Sequence, residues 1–138
     1  LRLFFDTGGF IARFDRRDQY HDSALSLLRA ISKGKLPYKR FYTSNYVLQE
    51  AVTFVLYETK NHSLARELLD FITKSEYIKI LWVDEEVQER ANKLFKKYSD
   101  QIISMTDYTS AVLMKEHGIE AIFTFDDHFN TLGFQVLP

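Results

Sequence analysis

Short apolar runs alternate with helix-period segments along this chain, and two of those runs end directly on aspartate; no other feature constrains the fold as strongly. The first run, Leu1-Arg2-Leu3-Phe4-Phe5, breaks at Asp6-Thr7-Gly8-Gly9 and reads as a strand, a loop and the start of a helix. Helical spacing follows through Phe10, Ile11 and Phe14. It resumes from His21 through Ala24, Leu25, Leu28 and Ile31 and stops at Lys33-Gly34. Phe41-Tyr42-Thr43 reads as a second strand, with Ser44 as N-cap of a helix through Val47, Leu48, Ala51, Val52 and Val55. A further helix is expected from about Ser63 to Thr73, a strand over Tyr77 to Val83, and a helix capped by Asp84 that continues to about Tyr98. Ser104 to Asp107 open another helix that ends at His117-Gly118. Ile122 to Phe125 is then a strand running into Asp126-Asp127, and Phe134 to Leu137 is the last strand. Such alternation predicts an α/β fold: a central, mostly parallel sheet of four to five strands flanked by helices.

The length, 138 residues with 46% hydrophobic content, suits a single domain over residues 1–138 with a sizeable core, and no repeat or linker divides it. Cysteine is absent, so disulfides and thiolate metal sites are excluded, and a reducing cytoplasm is the expected setting. No apolar run approaches the roughly 20 residues needed to cross a bilayer. Arg2 and Asp6 in the opening run do not fit the core of a signal peptide. The net charge of −1 excludes a uniformly basic nucleic-acid-binding surface, but the charge is unevenly distributed. Residues 1–40 carry nine Lys or Arg against four acids, and residues 41–138 carry nine against fifteen. A basic flank beside an acidic remainder would bring phosphates next to a cation-holding pocket; ordinary surface scatter explains the same numbers.

In open parallel sheets the functional crevice lies outside the carboxyl ends of the strands, so Asp6 and Asp126 are expected on one edge. Asp107, in the first turn of its helix, and Glu50, one or two turns into another, are expected near the same edge. Four carboxylates brought together must be protonated, paired with Lys or Arg, or neutralised by a cation. Mg²⁺ or Mn²⁺ fits an all-oxygen donor set. Taken singly, each acid has a simpler role. Asp107 in Ser104-x-x-Asp107 matches a capping box, Asp6 suits a turn, and Asp126 or Asp127 suits the cap of a short helix before Phe129. Glu50, flanked by Leu48, Ala51 and Val52, is expected close to the apolar face of its helix.

The combination resembles the PIN-domain family, metal-dependent ribonucleases that include the toxins of VapBC toxin–antitoxin pairs. The likeness covers nearly the whole chain. It rests on the strand leading into Asp6-Thr7, on Glu50 within Tyr46-Val47-Leu48-Gln49-Glu50-Ala51, and on Thr106-Asp107-Tyr108-Thr109-Ser110-Ala111. Its most specific part is the closure Ile122-Phe123-Thr124-Phe125-Asp126-Asp127-His128-Phe129 followed by Gly133-Phe134. The resemblance implies Asp6, Glu50, Asp107 and Asp126 as the acidic quartet, with Asp6 and Asp107 as direct metal ligands, Thr7 and Thr124 in support, and Asp127 ranked behind Asp126. It also implies an RNA substrate, an antitoxin protein that enters the active-site groove, and pairing as a homodimer. Gly8 departs from the polar residue common at that position in the family, which bears on the surroundings of the metal.

Alternative functions are a housekeeping RNA-processing nuclease and a non-catalytic PIN-like module that binds RNA or protein. Asp6-Thr7-Gly8 also matches the signature of aspartic proteases, but those are nearly all β and this chain has at least five helical segments. A receiver-type phosphoacceptor domain would carry an adjacent acidic pair after its first strand, and none stands here. Arg13, Arg16 and Arg17 are candidate phosphate contacts. His21 is read as non-catalytic, and His62, His117 and His128 show no metal-ligand spacing. Trp82 and most Phe and Tyr residues are expected in the core, with Tyr20 and Tyr38 the candidates for an exposed stacking ring.

Overall fold

In the computed structural model, which describes residues 1–138, the opening apolar run forms β1 (Arg2–Phe5) and Asp6 ends it. The chain continues through α1 (Thr7–Phe14), α2 (His21–Ser32), β2 (Arg40–Ser44), α3 (Asn45–Thr59), α4 (His62–Lys74) and β3 (Ile78–Leu81). It then forms α5 (Glu85–Lys97), α6 (Met105–Glu116), β4 (Ala121–Phe123), the short α7 (His128–Thr131) and β5 (Gln135–Leu137). All five strands pair in parallel, in the order β3-β2-β1-β4-β5. The expected α/β architecture is therefore observed, at the upper end of the expected strand count and with no antiparallel pair.

This order places a topological switch between β1 and β4. The chain leaves β1 on one side to build β2 and β3, then crosses back to lay β4 on the other, in register Leu3 to Ala121 and Phe5 to Phe123. Connections at the carboxyl ends of β1 and β4 diverge there and leave a crevice. Central strands covered on both faces carry continuous apolar sequence, as Leu3-Phe4-Phe5 and Ala121-Ile122-Phe123 do, and all six residues are buried.

The helix boundaries follow local chemistry. Ser44, Asn61, Asp84 and Ser104 each accept an amide N–H three residues on and so cap α3, α4, α5 and α6. At the end of α6, Gly118 adopts φ +63° while Ile119 N–H donates to Met114 O at 2.8 Å, a left-handed stop that sends the chain into β4. Gly9 is required for a different reason. A Cβ there would lie 2.7 Å from Phe123 O and 2.9 Å from the Phe123 ring, so only glycine lets α1 pack this closely on β4.

Several aromatic expectations fail, since Phe54, Tyr57, Tyr77 and Phe95 are exposed rather than in the core. Trp82 is 67% exposed because β3 ends at Leu81 and the indole lies beyond the covered part of the sheet. Tyr38 is 7% exposed and belongs to the core, which removes it as a stacking ring. Tyr20 remains at the surface, with its ring stacked on Phe125 at 4.5 Å and 5° between planes.

Candidate active site

Asp6 continues the β1–β4 ladder, its N–H donating to Phe123 O at 3.1 Å. It occupies the N-cap position of α1, but its carboxylate makes no capping bond. Oδ2 instead accepts from Thr124 Oγ1 at 2.8 Å, a buried bond across 118 residues of sequence. Oδ1 is buried and has no partner. Thr124 also receives the Asp126 N–H on its hydroxyl oxygen at 3.2 Å, so one threonine after β4 organises two of the predicted acids.

Asp107 lies in the first turn of α6, where Ser104 Oγ accepts its N–H at 3.2 Å. The reciprocal half of a capping box, from the Ser104 amide to the Asp107 carboxylate, is not made. The carboxylate is 8% exposed and belongs to the lining of the crevice, so capping explains Ser104 and leaves the acid itself unaccounted for.

Asp6 and Asp107 line a single cleft of about 670 Å³ together with Glu50, Asp126, Asp18 and His128. No Lys or Arg lines it. Burial pushes the Asp6 carboxyl up to about 6, opposed by its bond to Thr124 and aided by the charges of Glu50 and Asp126. Burial is also the main cause at Asp107, which is raised to about 8, with the charges of Asp6, Asp126 and Glu50 adding to it. Three of the five buried side-chain atoms without a hydrogen-bond partner, Asp6 Oδ1, Thr7 Oγ1 and His128 Nδ1, belong to residues of this lining. Acids whose carboxyls are raised by burial and by one another's charge, beside an unpartnered buried oxygen, are the surroundings a divalent cation would relieve.

The structure thus brings all four predicted acids to one cleft, but Glu50 differs from expectation. It is exposed at the rim, because α3 buries the face carrying Val47, Ala51 and Val55 and position 50 falls on its flank. Asp126 faces the cleft while Asp127 is exposed and makes no capping bond, which separates the two neighbours. Among the basic candidates, Arg13 packs over Phe14 at 5.1 Å. Arg16 and Arg17 line an adjoining cavity together with Asp15, Asp18, Glu58 and Glu67, a region of mixed charge rather than a basic patch. His21 Nδ1 is 2.7 Å from Ala12 O and so is engaged near the end of α1. His128 was not singled out by spacing; only its place two residues after Asp126 in a tight turn brings it here.

A sheet switch point crowned by carboxylates agrees with what sequence comparison finds. The PIN domain family model matches residues 3–135, and the chain belongs to that family. Among its relatives is a VapC ribonuclease of Archaeoglobus fulgidus, 26% identical over 136 residues that span 96% of this chain and 83% of the relative. The 23S rRNA-specific endonuclease VapC20 of Mycobacterium tuberculosis is 27% identical over 132 residues, 96% of this chain and 95% of that one. The crystal structure of VapC20 from M. tuberculosis, described as a Sarcin-Ricin loop cleaving toxin, superposes with a TM-score of 0.87 at 26% identity, covering 99% of both chains. VapBC2 from Rickettsia felis, bound to a promoter DNA fragment, has the same fold at a TM-score of 0.71 and 14% identity, over 99% of this chain and 97% of that one. No helix is long and apolar enough to cross a membrane.

Proposed function

We propose that this chain is a metal-dependent endoribonuclease, the toxin of a toxin–antitoxin pair, whose nuclease domain spans residues 1–138. One observation carries the reading: five carboxylates, Asp6, Asp18, Glu50, Asp107 and Asp126, line one cleft that has no Lys or Arg to balance them. A cleft of that charge repels RNA unless a cation is held in it, and a cation is what phosphodiester hydrolysis uses. The ribonuclease names of the relatives, over nearly the full chain, support the same assignment.

In this reading Asp6 and Asp107 hold the cation directly, Asp126 completes or shares its site, and Glu50 reaches it from the rim, directly or through water. Mg²⁺ or Mn²⁺ would lower the pKa of a water and neutralise charge on the phosphoryl oxygens. The remaining work belongs to the protein. Thr124 fixes the Asp6 carboxylate through Oδ2 and leaves Oδ1 free. Ser104 anchors the first turn of α6 and so sets the position of Asp107. Because the carboxyl of Asp107 is held up to about 8, loading the site releases protons, and affinity for the cation rises with pH through the neutral range.

Ribosomal RNA is the first substrate to try, since the relative VapC20 is a 23S rRNA-specific endonuclease, and an antitoxin protein is the expected partner, given the VapBC complex among the similar structures. Homodimer formation is part of the same proposal. The test is cleavage of a large-subunit rRNA fragment by wild type and by Asp107→Asn with Mg²⁺, Mn²⁺ or chelator. Cleavage that needs the metal and disappears in the variant supports the assignment; equal cleavage by both proteins would sink it.

A further inference from the structure

We propose that His128 gives the acidic centre a nitrogen donor, so that a cation held by Asp107 and Asp126 is also held by an imidazole and the site favours transition-metal ions over Mg²⁺. This rests on the reading of the cleft as a cation centre. Of the four histidines in the chain, only His128 lines that cleft.

The local backbone makes the arrangement. The His128 N–H donates to Asp126 Oδ1 at 2.9 Å, closing a tight turn that carries the imidazole back toward the carboxylate it has just bonded. Nδ1 then lies 2.9 Å from the same Oδ1. That approach lacks hydrogen-bond geometry: Nδ1 is buried and without a partner. The donor atoms of Asp107, Asp126 and His128 all fall within 4.8 Å of one another. On an octahedral ion with bonds of about 2.1 Å, adjacent donors are about 3 Å apart and opposite donors about 4.2 Å, so the group closes on a single ion once the side chains draw together by roughly half an ångström. Asp6 Oδ1, buried and unpartnered in the same lining, supplies independent evidence that the cleft is built around something absent from the protein chain.

An imidazole changes which ion is preferred. Mg²⁺ takes oxygen ligands and keeps its waters, whereas nitrogen donors strengthen binding progressively along Mn²⁺, Co²⁺ and Ni²⁺. A purely structural His128 that only pairs with Asp126 would leave that order unaffected.

The experiment uses the full chain with Mn²⁺ alone as probe, labelled with ¹⁵N-histidine, and reads nitrogen coupling to the bound ion by pulsed electron paramagnetic resonance. Affinities for Mg²⁺, Mn²⁺ and Ni²⁺ are measured by calorimetry in wild type, His128→Gln and Asp107→Asn, with thermal melts to confirm folding. Expected are histidine coupling in wild type, its loss in His128→Gln, and a fall on the order of tenfold in the Ni²⁺-to-Mg²⁺ affinity ratio in that variant. If His128→Gln fails to fold, the isotope coupling in wild type decides alone. Mn²⁺ bound in a manner that Asp107→Asn abolishes, but without histidine coupling, overturns the nitrogen donor and leaves the acidic centre standing. No divalent binding by wild type overturns both.

Discussion

The two ends of β1 and β4 have nearly opposite character. At the carboxyl ends, Asp6, Asp107 and Thr124 are buried, and the cleft they line has no Lys or Arg. At the amino ends, Arg2 is exposed and its guanidinium donates to His117 O, just past the carboxyl end of α6. A cation at a helix carboxyl terminus complements the backbone dipole, whereas carboxylates packed together at the other end work against folding. The same strands therefore have one end arranged for stability and one end that carries an electrostatic cost, and the costly end is where chemistry is expected.

The sharpest way to break this comparison is to neutralise the costly end. Asp6→Asn and Asp107→Asn should each fold and lose RNA cleavage by on the order of a thousandfold or more, measured as kcat under single-turnover conditions. Retained activity in either would return the cleft to an ordinary acidic surface.

The next effect is in the stability of metal-free protein. From about pH 4 upward the unfolded chain gives up the Asp6 and Asp107 protons, while the folded chain, with carboxyls raised to about 6 and about 8, keeps the first until about pH 6 and the second until about pH 8. The folded state then binds more protons, so stability falls as pH rises through that window and levels off above it. Thermal melts with chelator should show this fall in wild type, a smaller one in Asp107→Asn, and its reversal in wild type on adding Mn²⁺. A flat profile in the wild type would mean that the acids are not held protonated by the fold.

Packing of α1 on the last residue of β4 offers a smaller test. Gly9→Ala places a methyl 2.7 Å from Phe123 O and should cost roughly 1–3 kcal/mol in urea unfolding. Gly8→Ala, whose nearest neighbours would be 3.8 Å away, should be neutral or slightly stabilising. Equal costs at both positions would show that α1 does not press on β4 as described. Smallest of all, Arg2→Ala should cost about 1 kcal/mol or less and leave cleavage unchanged, since it acts on the far end of the sheet.

Much of this was legible in the sequence because the signals are local. The apolar run broken by Asp6 marks a strand end, Ser44, Asp84 and Ser104 mark helix starts, and Gly118 marks a stop, each through bonds within a few residues; β4, expected to run to Phe125, stops at Phe123, three residues short of Asp126. The acids themselves could be named in this way, since a strand's carboxyl end and a helix's first turn are local properties. Trp82 and Tyr38 were misplaced because period alone does not say where a sheet ends or what covers it.

By itself, then, the sequence determined the order of strands and helices, their caps, and which carboxylates stand at element ends, because backbone propensity and capping act at short range. Only the tertiary structure decided that Thr124 bonds Asp6 across 118 residues, that Glu50 stays at the rim, that Asp126 rather than Asp127 enters the cleft, and that His128 joins it. Those outcomes depend on the register of β1 against β4 and on the angle at which helices meet the sheet, and both are set by packing between segments far apart in the chain.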